Sequence, residues 1–253
     1  MRHFNKAKAR YPGLWSGCVG AWGLLDQAGS VAIDYSDCNR NGVMTNYPIP
    51  DQLGVINNRY MIKGDGVDSY TVMPVPQTVF ESPYSLSVRY YSSQNETGTD
   101  KGIISSGATP TTGFPNVLIQ RATSTTIRFY VNAAYRNTVT ITNGVMYALT
   151  ATWDGGTHRF YVNGALSGTS VGGVTTYANA SLYLGSGYNG YTQNYVGDVM
   201  LHRRALTENE IGLLSSRHGI AYEMTRDRHY KSAAGFRPHW ASQRTQIISG
   251  GTR

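Results

Sequence analysis

Residues 146–164, MYALTATWDGGTHRFYVNG, hold two runs of β-branched and aromatic residues. Asp154-Gly155-Gly156 separates them, and Asn163-Gly164 follows the second. Such runs on either side of an Asp-Gly turn predict a β-hairpin. One strand is expected over about 146–153 and a return strand over about 158–162, with Asn163-Gly164 opening a further turn. Asp154 stands in a Trp-Asp-Gly context that invites an acid–base role. Its expected role is mechanical, as a turn residue, while Trp153, Phe160 and Val162 are candidates for core packing.

Similar short runs recur at about 55–63, 68–73, 84–92, 101–106, 116–121, 125–131, 136–142, 180–184 and 195–203, with Gly, Asn and Pro between them. Strands at that density predict an all-β sandwich or barrel. Abundant glycine (29) and tyrosine (19), with 15% charged residues, suit strands and turns better than helices. In 85–90, Leu86, Val88 and Tyr90 share one face and Ser85, Ser87 and Arg89 the other. In 126–131, Ile127, Phe129 and Val131 align, with Arg128 opposite. Both are expected to be half-buried strands with polar backs toward water. The apolar run 14–25, LWSGCVGAWGLL, predicts a buried first strand, followed by a polar loop at 34–42. One helix interrupts the pattern. Thr207-Glu208-Asn209-Glu210 has the form of a capping box, with Thr207 as N-cap and Glu210 at the third helical position. Ile211, Leu213 and Leu214 follow, and Gly219 is expected to stop the helix near His218.

Charge divides the chain into a basic N-terminal arm (1–13), a body (14–223) and a basic, aromatic C-terminal arm (224–253). The two arms carry ten bases against Asp227 alone, a net +9, whereas the body carries 12 bases and 14 acids, a net −2. Ends of this kind bind something acidic or dock on a neighbour, or are solvated tails. Arg2, Lys6, Lys8, Arg10, Tyr230, Phe236, Arg237, Trp240 and Arg244 are the candidate anchors, because large aromatics set among bases suit a docking strap. Nucleic acid is not an expected partner, since the body is slightly acidic and no nucleic-acid motif is present. No apolar run is long enough for a membrane helix, and the basic N-terminus lacks the apolar stretch of a signal peptide. Cys18 and Cys38 can pair or remain two buried thiols, and the second is expected.

Four segments in order, 17–42, GDGVDSYTV at 64–72, ATWDGGTHRFYVNG within the hairpin, and LYLGSG…VGDVMLHRRALTENEI over 182–211, resemble the laminin-G-like branch of the concanavalin A-like lectin/glucanase superfamily. The resemblance spans about 200 residues. It implies an all-β jelly-roll sandwich of two antiparallel sheets, with one short helix and extended termini. The C-terminal stretch RHYKSAAGFRPHWASQRTQIISGG is similar to segments that follow such domains in tailed-phage genomes, near virion structural genes. That likeness implies a virion protein.

Glycoside hydrolysis requires two carboxyl groups flanking the scissile bond, and hydrolases of the superfamily present them on one strand as Glu-x-Asp-x-x-Glu. The five glutamates, Glu81, Glu96, Glu208, Glu210 and Glu223, include no such spacing. No catalytic residues are assigned, and His158 and His202 are expected to pack within strands. Asp37, Asn39 and Asn41 match the first half of a calcium loop, but the position that would supply the closing glutamate is Pro48. That loop is read either as a Ca2+ site or as a self-bonded Asx-rich turn; no cofactor is required. Tyr188, Asn189, Tyr191, Gln193 and Tyr195 lie in one Gly- and Asn-rich loop. Tyrosine faces stack on sugar C–H surfaces and amides bond sugar hydroxyls, but the same residues also suit packing against another subunit or loop. The expected function is a non-catalytic structural protein of the virion, a capsid decoration or tail-associated protein. It would display a lectin-like domain, be anchored to other virion proteins by its termini, and form a homo-oligomer or multi-copy assembly. The alternative is a carbohydrate-binding lectin module for host or environmental glycans.

Overall fold

The computed structural model describes residues 11–24, 30–47, 53–56, 59–93, 100–107, 117–173, 181–187 and 189–216, with 53–56, 59–60 and Gln77 described as backbone only. The elements begin with a helical turn, α1 (Pro12–Trp15), and the strands β1 (Cys18–Trp22), β2 (Val31–Ala32), β3 (Gly42–Thr45), β4 (Leu53–Ile56), β5 (Arg59–Lys63) and β6 (Tyr70–Met73). There follow β7 (Tyr84–Tyr91), β8 (Lys101–Ser106), β9 (Val117–Thr123), β10 (Thr126–Val131), β11 (Ala134–Thr140), β12 (Met146–Trp153), β13 (Thr157–Val162) and β14 (Ala165–Val171). The last are β15 (Leu182–Leu184), β16 (Ser186–Gly187), β17 (Gly190–Tyr191), β18 (Tyr195–His202) and helix α2 (Glu208–Ser216).

The hairpin expected at 146–164 is β12–β13. Asp154 Oδ1 accepts the backbone N–H groups of Gly156 (3.0 Å) and Thr157 (2.8 Å), and its other oxygen pairs with Arg159. Asn163 and Gly164 adopt φ of +52° and +85°, the left-handed pair a two-residue hairpin turn requires. Asn163 also exchanges two bonds with Ala148, through its N–H and its Oδ1 (2.8 Å each).

The strands form two sheets. One has the order β14-β13-β12-β7-β18-β5-β4, with β1 also on β18; the other has the order β11-β10-β9-β8-β15-β6-β3-β2, with β16 and β17 attached. Pairings are antiparallel except the single β17–β8 bridge, Tyr191 to Gly102. The principal core lies between the sheets and includes Trp22, Phe80, Tyr84, Leu86, Tyr90, Phe129, Trp153, Phe160 and Leu201. Trp153 and Phe160 thus pack as expected, with Val162 partly buried against them.

A second cluster occupies the outer face of the first sheet, where Leu14, Trp15, Tyr161, Met200, Leu206, Ile211 and Leu214 meet. It corrects the expectation of a wet polar back on β7, because Ser85, Ser87 and Arg89 are all buried. Ser85 Oγ donates to the Arg204 carbonyl (2.9 Å) and accepts the Leu206 N–H (2.8 Å). Arg89 donates to the carbonyls of Leu214 and Ser215, which end α2 without intrahelical partners. The polar back is therefore a seat for α2. The capping box at Thr207 and Glu210 is present, and Arg204 grips Glu210 through two bonds (2.8 and 2.7 Å) while also donating to Ser16 and Gly13 carbonyls. This clamp ties α2 to α1. The helix ends at Ser216, and the stop expected near His218 lies outside the described residues.

Other expectations are revised. The run 14–25 opens with a helical turn, favoured by Pro12 at its start, before β1 begins. The run 55–63 belongs to two strands, β4 and β5, paired with each other. Strands β2, β3, β14, β16 and β17 carry no run of apolar residues that would have announced them. Cys18 and Cys38 form no disulfide, and Cys38 is exposed rather than buried.

Both strand histidines are buried. His202 Nε2 bonds the Leu14 carbonyl (2.7 Å), and His158 stacks on Trp153 (5.8 Å between centroids). Burial lowers each pKa from 6.5 to about 4. The unfolded chain therefore takes up protons at a pH where the folded chain does not. Stability present above pH ~6.5 is expected to be lost as pH falls toward 4, by on the order of 3 kcal/mol for His202 alone. Thermal midpoints recorded between pH 7.5 and 4.5 check this; a flat profile would contradict it.

Candidate functional site

The loop after β15 turns at Gly185 (φ +82°) and folds back as β16–β17 across the outer face of the second sheet. Glycine at 102 permits this close approach: a Cβ there would lie 2.0 Å from the Gly187 nitrogen and 2.1 Å from the Ser186 carbonyl carbon. Ser105 Oγ donates to the Ser186 carbonyl (3.1 Å), and Leu118, buried outside both core clusters, lies against Gly187.

This hairpin carries Tyr191 to Tyr70 and Tyr183. In β6, Thr71 and Met73 are buried while Tyr70 and Val72 are half-exposed; in β15, Leu182 and Leu184 face the core and Tyr183 the outside. The Tyr70 ring centroid lies 6.1 Å from Tyr183 and 5.9 Å from Tyr191, with tilted planes. The outer face continues from Tyr183 through its register partner Val72 to Val43 and Val31, on successive strands. Val43 and Val31 are exposed.

Polar groups edge the tyrosines. Asp68 is exposed and accepts from Asn46 Nδ2 (2.9 Å). Asp65 Oδ1 accepts from the N–H groups of Val67, Asp68 and Ser69 and from the Ser69 hydroxyl, at 2.8–3.1 Å. Burial raises the Asp65 pKa, but these bonds outweigh it and hold the carboxyl at about 2. The Tyr191 hydroxyl is pushed up by burial first, then by Tyr70, Asp68 and Asp65. Gln193 packs its stem against Gly66, and Asn189 is exposed on the β16–β17 turn.

The structure divides the loop residues read as one site. Tyr191, Asn189 and Gln193 belong to the second sheet's outer side. Tyr195 instead faces outward from the first sheet, edge-on to Tyr91 (5.8 Å), with the Lys63 ammonium 5.8 Å above its ring. Tyr188 lies outside the described residues, as do all the candidate anchors in the two arms. Tyr70, Tyr183, Asn46, Asp65 and Asp68 were not singled out from sequence. The signal available was one tyrosine alternating with core residues in YTVM and in LYL; only the sheet register joins the two.

The loop holding Asp37, Asn39 and Asn41 is organised by buried Asp34. Its carboxylate accepts from the N–H groups of Ala21, Ser36 and Arg40 (2.8–2.9 Å) and from the Ser36 hydroxyl (2.8 Å). Asn41 Oδ1 accepts the Asp34 N–H (3.0 Å). Among the described residues no three His, Cys, Asp or Glu side chains stand together as a metal set. Asp154 and Glu210, like Asp65, are held below the ordinary carboxylate range, chiefly by Arg159 and Arg204 respectively. Among the described residues no helix is long and apolar enough to cross a membrane.

No curated protein sequence matches this chain. Among solved structures, Trypanosoma rangeli sialidase in complex with sialic acid superposes with a TM-score of 0.63 at 18% identity, over 81% of this chain and 33% of the sialidase. The receptor binding domain of botulinum neurotoxin C/D mosaic serotype superposes with a TM-score of 0.60 at 11% identity, over 79% of this chain and 51% of that domain. The chain thus spans about a third of the one and half of the other. At these identities the likeness is one of fold. The sequence of residues 65–212 matches the family described as the concanavalin A-like lectin/glucanases superfamily. A match over more than half of the chain, on a sandwich of the corresponding architecture, places this protein in the concanavalin A-like lectin/glucanases superfamily.

Proposed function

We propose that this protein is a non-catalytic carbohydrate-binding module whose sugar-contacting surface is the face formed by Tyr70, Tyr183 and Tyr191. The observation carrying this reading is the convergence of three half-exposed tyrosine rings, from three different strands, with amide and carboxylate groups at their edge. Aromatic faces stack on sugar C–H surfaces while the edge groups bond hydroxyls. The non-catalytic part is supported by the carboxylates. Asp65, Asp154 and Glu210 are each tied into a turn or helix cap and held ionised, whereas a glycosidase acid needs a raised pKa. Screening on a glycan array and titration of the hits test the reading. Tyr191→Ala and Tyr70→Ala are each expected to weaken binding about tenfold, on the scale of one lost stacking contact. Tyr195→Ala, on the other sheet, is expected to leave it unchanged. Binding insensitive to Tyr70 and Tyr191 would refute this surface.

The charge distribution favours a second role. The arms' net +9 beside a body of −2 suits anchoring of the displayed domain on other proteins of a multi-copy virion assembly, as a capsid decoration or tail-associated protein. Deleting 224–253 is expected to release the protein from purified particles, scored by sedimentation. Retention on the particles would rule out anchoring by that arm.

A further inference from the structure

We infer that the sugar bound at the Tyr70–Tyr183–Tyr191 face carries an ammonium group; this rests on the carbohydrate-binding reading of the same face. The distinguishing feature is the charge beside the rings. Asp68 is exposed, and Asn46 bonds only its Oδ2. Asp65 uses Oδ1 for all four of its hydrogen bonds. Among the described residues each carboxylate therefore keeps one oxygen unengaged, and neither forms an ion pair with Lys, Arg or His. Two carboxylates with no cationic partner among the described residues, beside three aromatic faces, form a site of negative potential over negative ring faces. Neutral sugars stack on the rings and donate hydroxyls to the carboxylates, but leave both negative charges uncompensated. A sialic or uronic acid is repelled by them. An amine or quaternary ammonium substituent is attracted by both, through the ring quadrupole and through direct pairing with carboxylate.

Lys101 is the basic residue packed on this hairpin. Its side chain lies along Gly190, whereas the charges acting on the Tyr191 hydroxyl are those of Asp68 and Asp65. The acidic charges are the ones felt at the Tyr191 hydroxyl, and Asp68 stands two residues before Tyr70 on the same chain segment. The sialidase of which a third superposes on this chain was solved with sialic acid, but that likeness is one of fold; selectivity at this face follows from its charged side chains.

The test is titration of the full chain with four probes: a glucosamine tetramer, the N-acetylglucosamine tetramer, sialyllactose and choline. Tyr191→Ala is measured alongside, so that only signal lost in that variant is assigned to the site. This matters because the basic arms attract anions elsewhere. The glucosamine tetramer is expected to bind about tenfold more tightly than its acetylated counterpart at low salt, with the ratio shrinking as salt rises. Sialyllactose is expected to give no Tyr191-dependent signal. Asp68→Asn, a change on an exposed side chain, is expected to bring the ratio down to about two- to threefold. Equal or tighter binding of the acetylated tetramer, Tyr191-dependent binding of sialyllactose, or a ratio unaltered in Asp68→Asn overturns the inference and leaves the carbohydrate reading standing. Choline binding as tightly as the glucosamine tetramer overturns the assignment of the ligand as a sugar. Absence of Tyr191-dependent binding by every sugar overturns both.

Discussion

Replacing Arg121 with leucine is expected to cost about 3–5 kcal/mol, the scale for removing one partner from a buried charged network. Arg121 lies on β9, is 1% exposed, and sits between the sheets at one end of the sandwich. Its Nε donates to the Thr123 carbonyl (3.0 Å). Nη1 donates to the Tyr90 hydroxyl (3.1 Å) and Ser92 Oγ (2.7 Å), and Nη2 to the Ser124 carbonyl (2.6 Å) and Asn143 Oδ1 (2.8 Å). The network extends further, because Asn194 Nδ2 donates to the same Tyr90 hydroxyl (2.6 Å) and Asn194 Oδ1 accepts the Ser93 N–H (2.6 Å). One guanidinium thus joins β7, β9, the segment after each and the β11–β12 turn, and the Tyr90 hydroxyl links it on to the segment entering β18. Leucine would fill much of the volume but remove these five hydrogen bonds at once, leaving the Thr123 and Ser124 carbonyls without this donor and the Tyr90 and Ser92 hydroxyls and Asn143 Oδ1 with their bonds to one another and to Asn194. A loss of that size is a large share of the 5–15 kcal/mol typical of a domain and lowers the thermal midpoint by roughly 10 °C. Urea unfolding should show an earlier midpoint with an unchanged slope. Arg121→Lys should restore little, since one ammonium cannot reproduce a planar fork with donors on three nitrogens. A loss under about 1 kcal/mol for leucine would mean that the network contributes far less than a buried charged cluster normally does.

Gly102→Val is expected to abolish sugar binding while leaving the sandwich folded. Any Cβ at residue 102 meets the backbone of Ser186 and Gly187, at 2.0–2.1 Å. Backbone cannot step aside as a flexible side chain can, so the β16–β17 hairpin must lift from the sheet and carry Tyr191 away from Tyr70. The cost to stability is expected to remain within about 1–3 kcal/mol, the range for local overpacking, because β8 keeps Ile103 and Ile104 in the core. Calorimetric titration and far-UV circular dichroism on the same sample separate the two effects. Gly173→Ala, whose Cβ would meet nothing within 4 Å, is the matched control and should bind as the wild type does. Undiminished affinity in Gly102→Val would show that the seated hairpin is not what assembles the site.

The legibility of this chain in sequence depended on how local each feature is. The 146–164 hairpin was readable because alternation, an Asp-Gly turn and an Asn-Gly turn all act within a few residues, and the observed β12 has the bounds expected. The capping box at Thr207–Glu210 was readable for the same reason. The run 14–25 was misread because its apolar residues serve two clusters, Leu14 and Trp15 beneath α2 and Trp22 between the sheets. The polar face of β7 was misread because serine and arginine look alike whether they meet water or the end of a helix. In the loop 185–198, proximity in sequence suggested that Tyr191 and Tyr195 act together, yet they face outward from different sheets.

The sequence by itself determined the scaffold: an all-β chain, its central hairpin, its capped helix and its superfamily, each specified by short-range turn chemistry and by two-residue periodicity. Only the tertiary structure decided the candidate site. Tyr70, Tyr183 and Tyr191 lie 113 and 8 residues apart along the chain and acquire a common face through the β6–β15 register and the close seating allowed by Gly102. The same holds for Arg121, whose partners come from turns that no local pattern connects. Pairing register and backbone approach are properties of two segments at once, so neither segment's sequence states them alone.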